Sequence, residues 1–104
     1  MRASDFFRER ASLERLQARD AYSGDTFYDP EDIWVRWLQE TQQVQTASGR
    51  EVLTMARVST MTPLSEGDRL EHEDGHRGRV VRVRRNRSTD GRFSHYVADL
   101  GGAA

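Results

Sequence analysis

The last third of the chain constrains the fold most, because short β-type runs alternate there with turns that contain glycine. The runs cover residues 69–72, 78–84 and 93–100, and Asp74-Gly75 stands between the first two. An Asp-Gly pair between two such runs is a strong hairpin signal. β-type runs separated by glycine turns are typical of a small antiparallel barrel or meander. This segment therefore predicts a mainly β fold.

Two more strands are predicted in the middle of the chain. Residues 33–40 are rich in β-branched and aromatic side chains, and both alternate rows are largely apolar, which predicts a central strand covered on both faces. Residues 51–61 form the return strand. The polar segment between them, with Gly49 at its tip, is expected to be a loop, as is the segment 85–92.

The N-terminal segment 4–19 allows two interpretations. As a helix it would have Ser4 as N-cap and a ragged apolar side, and composition alone favours this helix over a short helical turn followed by a strand. Residues 20–32 are acidic and contain Gly24 and Pro30, which predicts a loop. The whole chain of 104 residues then forms a single domain, a small antiparallel β-barrel of five or six strands with at most one short helix. We expect residues 1–7 and 101–104 to be flexible.

Composition points to a protein with partners. Apolar residues make up 36% of the chain and charged residues 32%, so the core must be thin and subunit contacts would add stability. Residues 1–76 contain nine arginines and fifteen acids, whereas residues 77–104 contain seven arginines and two acids. This uneven charge favours a protein that meets itself or a partner head to tail, or one with a basic face.

No feature of the sequence indicates catalysis. There is no cysteine, and there is no apolar run long enough for a membrane span and no signal-peptide core, so we expect a soluble protein of the cytoplasm without disulfides. His72 and His76 flank a predicted turn rather than lie on a helix, and their exposure as turn residues is the simpler interpretation. No serine or glycine pattern fits a nucleophile elbow or a phosphate loop. We predict no enzyme, cofactor or metal.

The candidate binding residues are arginines and tryptophans. In a strand, Arg82 and Arg84 share one face with Val80, opposite Val81 and Val83, and would line a basic surface that contacts nucleic acid or, alternatively, solvent, another subunit or acidic side chains. The candidate interface aromatics are Trp34 and Trp37. They are three residues apart on one strand and hence on opposite faces, so we expect one to lie in the core and the other to be buried only on assembly.

Over residues 8–100 the order of strands and turns resembles the head-to-tail stopper, or head-completion, proteins of siphophages and gene-transfer particles. The resemblance is carried by an acidic loop, a tryptophan strand, a glycine hairpin into 51–58, the segment Pro63-Leu64-Ser65-Glu66-Gly67-Asp68-Arg69-Leu70, the Gly75 turn, and the strands 80–83 and 95–100. It implies a virion protein of the phage neck, made in the bacterial host cytoplasm.

The resemblance implies a barrel that forms a ring, hexameric when assembled and monomeric when isolated. The ring would lie between the portal and adaptor on the head side and the tail proteins, close to packaged DNA. The resemblance also implies a strand over 8–16 instead of a helix. In that family, loops gate the channel, and the candidate assembly or channel loops here contain Gln42, Gln43, Gln45, Ser48, Arg85, Arg87 and Arg92.

A second resemblance covers less of the chain. Residues 67–84 are similar to the KOW-type motif of small ribosomal and transcription-associated barrels, which bind RNA or protein. This alternative leaves the tryptophan strand and the acidic loop unexplained.

Overall fold

The computed structural model of the protein describes residues 7–20, 22–46, 48–87 and 94–101. In this part of the chain it contains strands and no helix. The strands are β1 (Glu9–Glu14), β2 (Leu16–Ala18), β3 (Thr26–Phe27), β4 (Glu31–Gln45), β5 (Glu51–Thr60), β6 (Arg69–His72), β7 (Arg77–Arg87) and β8 (Ser94–Gly101).

Six of these strands close into an antiparallel barrel, which confirms the predicted fold class. Their order is β1-β4-β5-β8-β7-β6, and β1 closes the ring by pairing with both β4 and β6. The strands β2 and β3 form a separate two-stranded sheet. Closure gives every barrel strand two neighbours, so the barrel has no free edge along its closed part.

The helix favoured by composition over residues 4–19 is wrong for the described part of that segment. Residues 9–14 form β1, in which Ala11 and Leu13 are buried while their neighbours Ser12 and Glu14 are partly exposed. Pairing with strands on both sides outweighs the weak helix propensity of these residues. The strand implied by the resemblance is therefore the correct interpretation.

The core lies inside the barrel, and β4 contributes to it from one face only. Ile33 and Val35 are buried, whereas Trp34, Arg36 and Leu38 are exposed. The prediction of a strand covered on both faces is wrong, because a barrel wall has one inner and one outer side. The fully buried apolar side chains come from all six strands: Leu13, Val35, Val58, Leu70, Val80, Ala98 and Leu100.

Two hairpins are longer than the sequence predicts. The pairing of β4 with β1 ends at Val35 and that of β5 with β8 ends at Ala56, so residues 39–54 pair mainly with each other. We call this two-stranded extension the β4–β5 arm. The strand β7 likewise continues to Arg87, paired with β8. Since β4 and β7 run antiparallel to each other, the arm and the β7–β8 hairpin point in opposite directions.

Two residues assigned to flexible ends belong to the fold. Phe7 is buried, with 6% of its surface exposed, and Gly101 is the last residue of β8. The other residues of those ends lie outside the described part of the chain. No helix in the described residues is long and apolar enough to span a membrane.

Candidate assembly surface

Large apolar side chains are exposed along the outer surface of β4 and β5. Leu38 is 52% exposed, Leu53 67% and Met55 40%, and Leu53 and Met55 lie in the same row of β5 as Arg57, the partner of Leu38 across the strand pair. Trp34, 55% exposed, and Met61, 41% exposed, lie nearer the start of β4. We call these five side chains the apolar β4–β5 face. It is interrupted by Arg36 and Ser59 and was not predicted, because the sequence could not show which row of β4 faces outward.

Trp34 is the largest side chain of this face. The guanidinium of Arg10, its partner on β1, lies 5.1 Å from the centre of the Trp34 ring. Beside the ring is an open cavity of about 250 Å³ lined by Phe7, Asp32, Ile33, Trp34, Met61 and Thr62. An arginine over an indole face makes a favourable cation–π contact, so Arg10 keeps the exposed ring in place.

Trp37 lies on the opposite face of β4 and packs against the core. Its ring centre is 5.1 Å from that of His72, and its buried indole nitrogen has no hydrogen-bond partner in the described structure. Of the two tryptophans predicted for an interface, only Trp34 presents a surface to a partner. Trp37 is therefore a core residue.

Most residues predicted for channel loops lie in strands. Gln42, Gln43 and Gln45 belong to β4, and Ser48 alone lies in the described turn of the arm. The Gln43 side chain donates to Glu51 across the arm at 3.0 Å. Polar side chains suggested a loop, but backbone pairing tolerates them on the exposed face of a hairpin, and Val44 and Thr54 on its other face are buried.

The described part of the second predicted loop, residues 85–87, is also strand, and residues 88–92 lie outside the described part of the chain. Arg85 and Arg87 lie in β7, and Arg92 lies outside the described residues. Because the arm and the β7–β8 hairpin point in opposite directions, the structure separates the two predicted loop regions instead of bringing them together.

A β-bulge changes the predicted faces of β7. The register of β7 against β8 shifts between Val80 and Arg82. As a result Val80 is buried in the core and Val83 packs against it, whereas the prediction put Val80 with the arginines. The extra residue of a bulge reverses the alternation that follows it. Arg82 and Arg84 do share the outer row, opposite Asp99 and Val97.

Arg82 is engaged in an ion-pair network. Asp99, whose side chain is 2% exposed, lies between Arg57 and Arg82, with its carboxylate oxygens 3.3 Å and 3.2 Å from the two Nε atoms. Arg57 also donates to Gln42, which in turn donates to Glu40. No local pattern in the sequence indicated this network, because its members come from four strands. Arg84 and Arg85 are exposed and make no ion pair with a described residue.

The histidines do not form a metal site in the described part of the chain, where no group of three potential ligands is found. His76 is exposed, as predicted for a turn residue, but the His72 side chain is only 10% exposed. His72 lies in β6, between the carboxylates of Asp74, at 2.9 Å, and Glu9, at 3.3 Å. It is therefore part of the packing under Trp37 rather than an exposed turn residue.

Comparison with known proteins does not identify a family for this chain. No family model matches it, and no curated protein matches its sequence. A proposal of function therefore rests on the resemblance of the strand and turn order and on the surfaces described above.

Proposed function

We propose that this chain is a structural assembly protein that forms a ring at the neck of a phage-like particle, joins head to tail and helps to retain packaged DNA. The observation that carries the proposal is the apolar β4–β5 face. A group of exposed apolar side chains with polar residues among and around them marks an interaction surface on a small domain, and tryptophan and methionine are enriched where subunits meet. The type of particle is inferred from the resemblance to head-to-tail stoppers.

The strand order supports contact between copies of the chain. In a six-stranded barrel β4 and β7 lie on opposite sides. The strand β4 has three acids and one arginine, while β7 has six arginines and no acid. A surface that meets a different, complementary surface on the next copy generates a ring when the rotation closes. The uneven charge along the sequence is thus also uneven in space.

The two oppositely directed hairpins support a connector. The β4–β5 arm extends from one end of the barrel and the β7–β8 hairpin from the other. A subunit that joins two different structures needs a contact surface at each end. In this proposal one hairpin meets the head side and the other meets the tail side.

The alternative function is nucleic-acid binding by a KOW-like barrel. Exposed Arg84 and Arg85 favour it, but Arg82 is paired with Asp99 and has less charge to offer a phosphate. It predicts retardation of RNA or DNA at low salt that is lost in an Arg84→Gln, Arg85→Gln variant. Unchanged mobility of nucleic acid at low salt would exclude it.

The assembly function is tested by comparing the particles that form with and without this protein. Deleting the gene should give DNA-packaging particles without joined tails, and the wild-type gene should restore tailed particles while Leu53→Glu should not. The control is Tyr28→Glu, because Tyr28 is as exposed as Trp34, at 55%, but lies outside the apolar β4–β5 face. Circular dichroism should show both variants folded. Infectious, tailed, DNA-filled particles from the deletion strain would disprove the function.

A further inference from the structure

A polar cavity lies where the tip of the β4–β5 arm approaches the start of β7. Its volume is about 330 Å³. Three arginines from separate segments line it, Arg19 after β2, Arg50 in the arm and Arg79 in β7, together with the hydroxyls of Thr46 and Ser48. The apolar β4–β5 face contains none of these side chains.

The cavity has an excess of positive charge. Arg79 is already neutralised, since its Nη2 atom lies 2.8 Å from the carboxylate of Asp25 and its Nε donates to Gly67 O at 2.9 Å. Arg19 and Arg50 are exposed and make no ion pair with any described residue. Glu66 is the remaining acid of the lining. Two free guanidinium groups therefore face one free carboxylate.

The two hydroxyls add a neutral donor. Thr46 Oγ1 and Ser48 Oγ are 2.9 Å apart and share one hydrogen, and Thr46 Oγ1 also accepts from the backbone N–H of Arg50 at 3.3 Å. Two hydroxyl groups have two hydrogens between them. One is used in their mutual bond, which leaves the other to donate to a ligand.

Gly67 helps to position Arg19. A Cβ atom at Gly67 would lie 2.7 Å from Arg19 Nη2, and the φ of Gly67 is +92°. The guanidinium thus lies directly against a turn that has no side chain. The neighbouring Asp68, whose carboxylate accepts from the backbone N–H groups of Leu16 and Ser65 at 2.9 Å each, anchors that turn to β2.

We propose that this cavity binds a phosphate group. Guanidinium groups form strong, charge-assisted hydrogen bonds with phosphate oxygens. Donors reach the cavity from three chain segments, an arrangement suited to a tetrahedral anion rather than to a planar carboxylate. The phosphate belongs either to a small free compound or to a nucleic-acid backbone, and both present the same oxygens.

The test is an NMR titration of the whole protein with inorganic phosphate at constant ionic strength. The backbone amides of Thr46, Gly67 and Val81 should shift and saturate. Arg50→Gln and Arg19→Gln should each weaken binding about tenfold, the effect of one charge-assisted contact. Glu66→Gln should tighten binding, because it removes the one unpaired negative charge of the lining. The control, Arg36→Gln, alters an exposed arginine on β4 and should leave the affinity unchanged.

Further titrations distinguish the sources of the phosphate. Pyrophosphate binding more tightly than a single-stranded oligonucleotide identifies a free phosphate compound, and the reverse order identifies a nucleic-acid backbone. Acetate binding as tightly as phosphate, or a Glu66→Gln variant that binds phosphate no better than wild type, would overturn the proposal. Because the arginines tested lie outside the apolar β4–β5 face, failure here leaves the assembly function standing.

Discussion

At the scale of single residues, replacing Asp99 is expected to lower the free energy of unfolding substantially. It is nearly fully buried between two arginines that are each about a third exposed. Breaking a buried pair by removing one partner costs about 3–5 kcal/mol, and solvent near the arginines should reduce this to about 2 kcal/mol for Asp99→Asn. Urea denaturation measures the change. The exposed Asp29→Asn should be within about 0.5 kcal/mol of wild type, and an equally small change for Asp99→Asn would show that the network does not stabilise the barrel.

Gly67 should also be sensitive, and Gly49 gives a matched comparison. Both have a positive φ, +92° and +87°, but a Cβ at Gly67 would clash with Leu16 Cδ2 at 2.7 Å, whereas Gly49 has open space around it. Alanine at either position should cost about 1 kcal/mol for the left-handed backbone, and Gly67→Ala about 2 kcal/mol more for the clash. Thermal melts of the two variants separate these costs. Equal losses would mean that Leu16 and Arg19 move aside freely.

At the scale of elements, local sequence signals located the strands better than their ends. Asp74-Gly75 correctly marked the β6–β7 hairpin. The continuation of β4 through Gln45 was missed, because glutamines that hydrogen-bond across an arm look like a loop in sequence. The bulge after Val80 was missed for a different reason. It depends on the register with β8, which no local pattern contains.

Because of the β6–β7 turn, the stability of the folded protein should depend on pH in the acid range. The backbone N–H of His76 donates to Asp74, and this bond is the largest influence on the pKa of that carboxyl. Desolvation opposes it, but together with the rings of His72 and His76 it holds the pKa of Asp74 well below its ordinary 3.8. A carboxyl whose pKa is lower in the folded than in the unfolded protein stabilises the fold at pH values above its unfolded-state pKa. That stabilisation is lost as the pH falls through its folded-state pKa. The stability difference between wild type and Asp74→Asn should thus be constant near neutral pH and shrink below 3.8.

Urea midpoints of wild type and Asp74→Asn, measured over a pH series, test this dependence. Glu73→Gln is the control, because the side chain of Glu73 makes no hydrogen bond with a described residue and should show no such trend. A difference between wild type and Asp74→Asn that stays the same below pH 3.8 would contradict the role of the carboxylate.

At the scale of the whole molecule, the fold class followed from the sequence but the candidate surface did not. Alternating β-type runs and glycine turns are local, so the barrel could be predicted. The exposure of Leu38 and Leu53 depends on which side of the wall closes inward, and closure is set by the pairing of β1 with β6, about 60 residues apart. The charge difference between residues 1–76 and 77–104 could be read directly from the sequence. Its placement on opposite sides of the barrel needed the strand order.

That placement predicts how copies of the chain meet. If the apolar β4–β5 face of one subunit contacts β7 of the next, cysteines at Leu38 and Arg84 should cross-link between neighbours in the assembled particle, since the chain has no native cysteine to interfere. The double variant Leu38→Cys, Arg84→Cys should give a ladder of oligomers on oxidation, whereas each single variant should stay monomeric. A face that meets its own copy about a two-fold axis would instead give dimers from Leu38→Cys alone. Such dimers, without a ladder from the double variant, would rule out the heterologous contact and with it a ring built through β4 and β7.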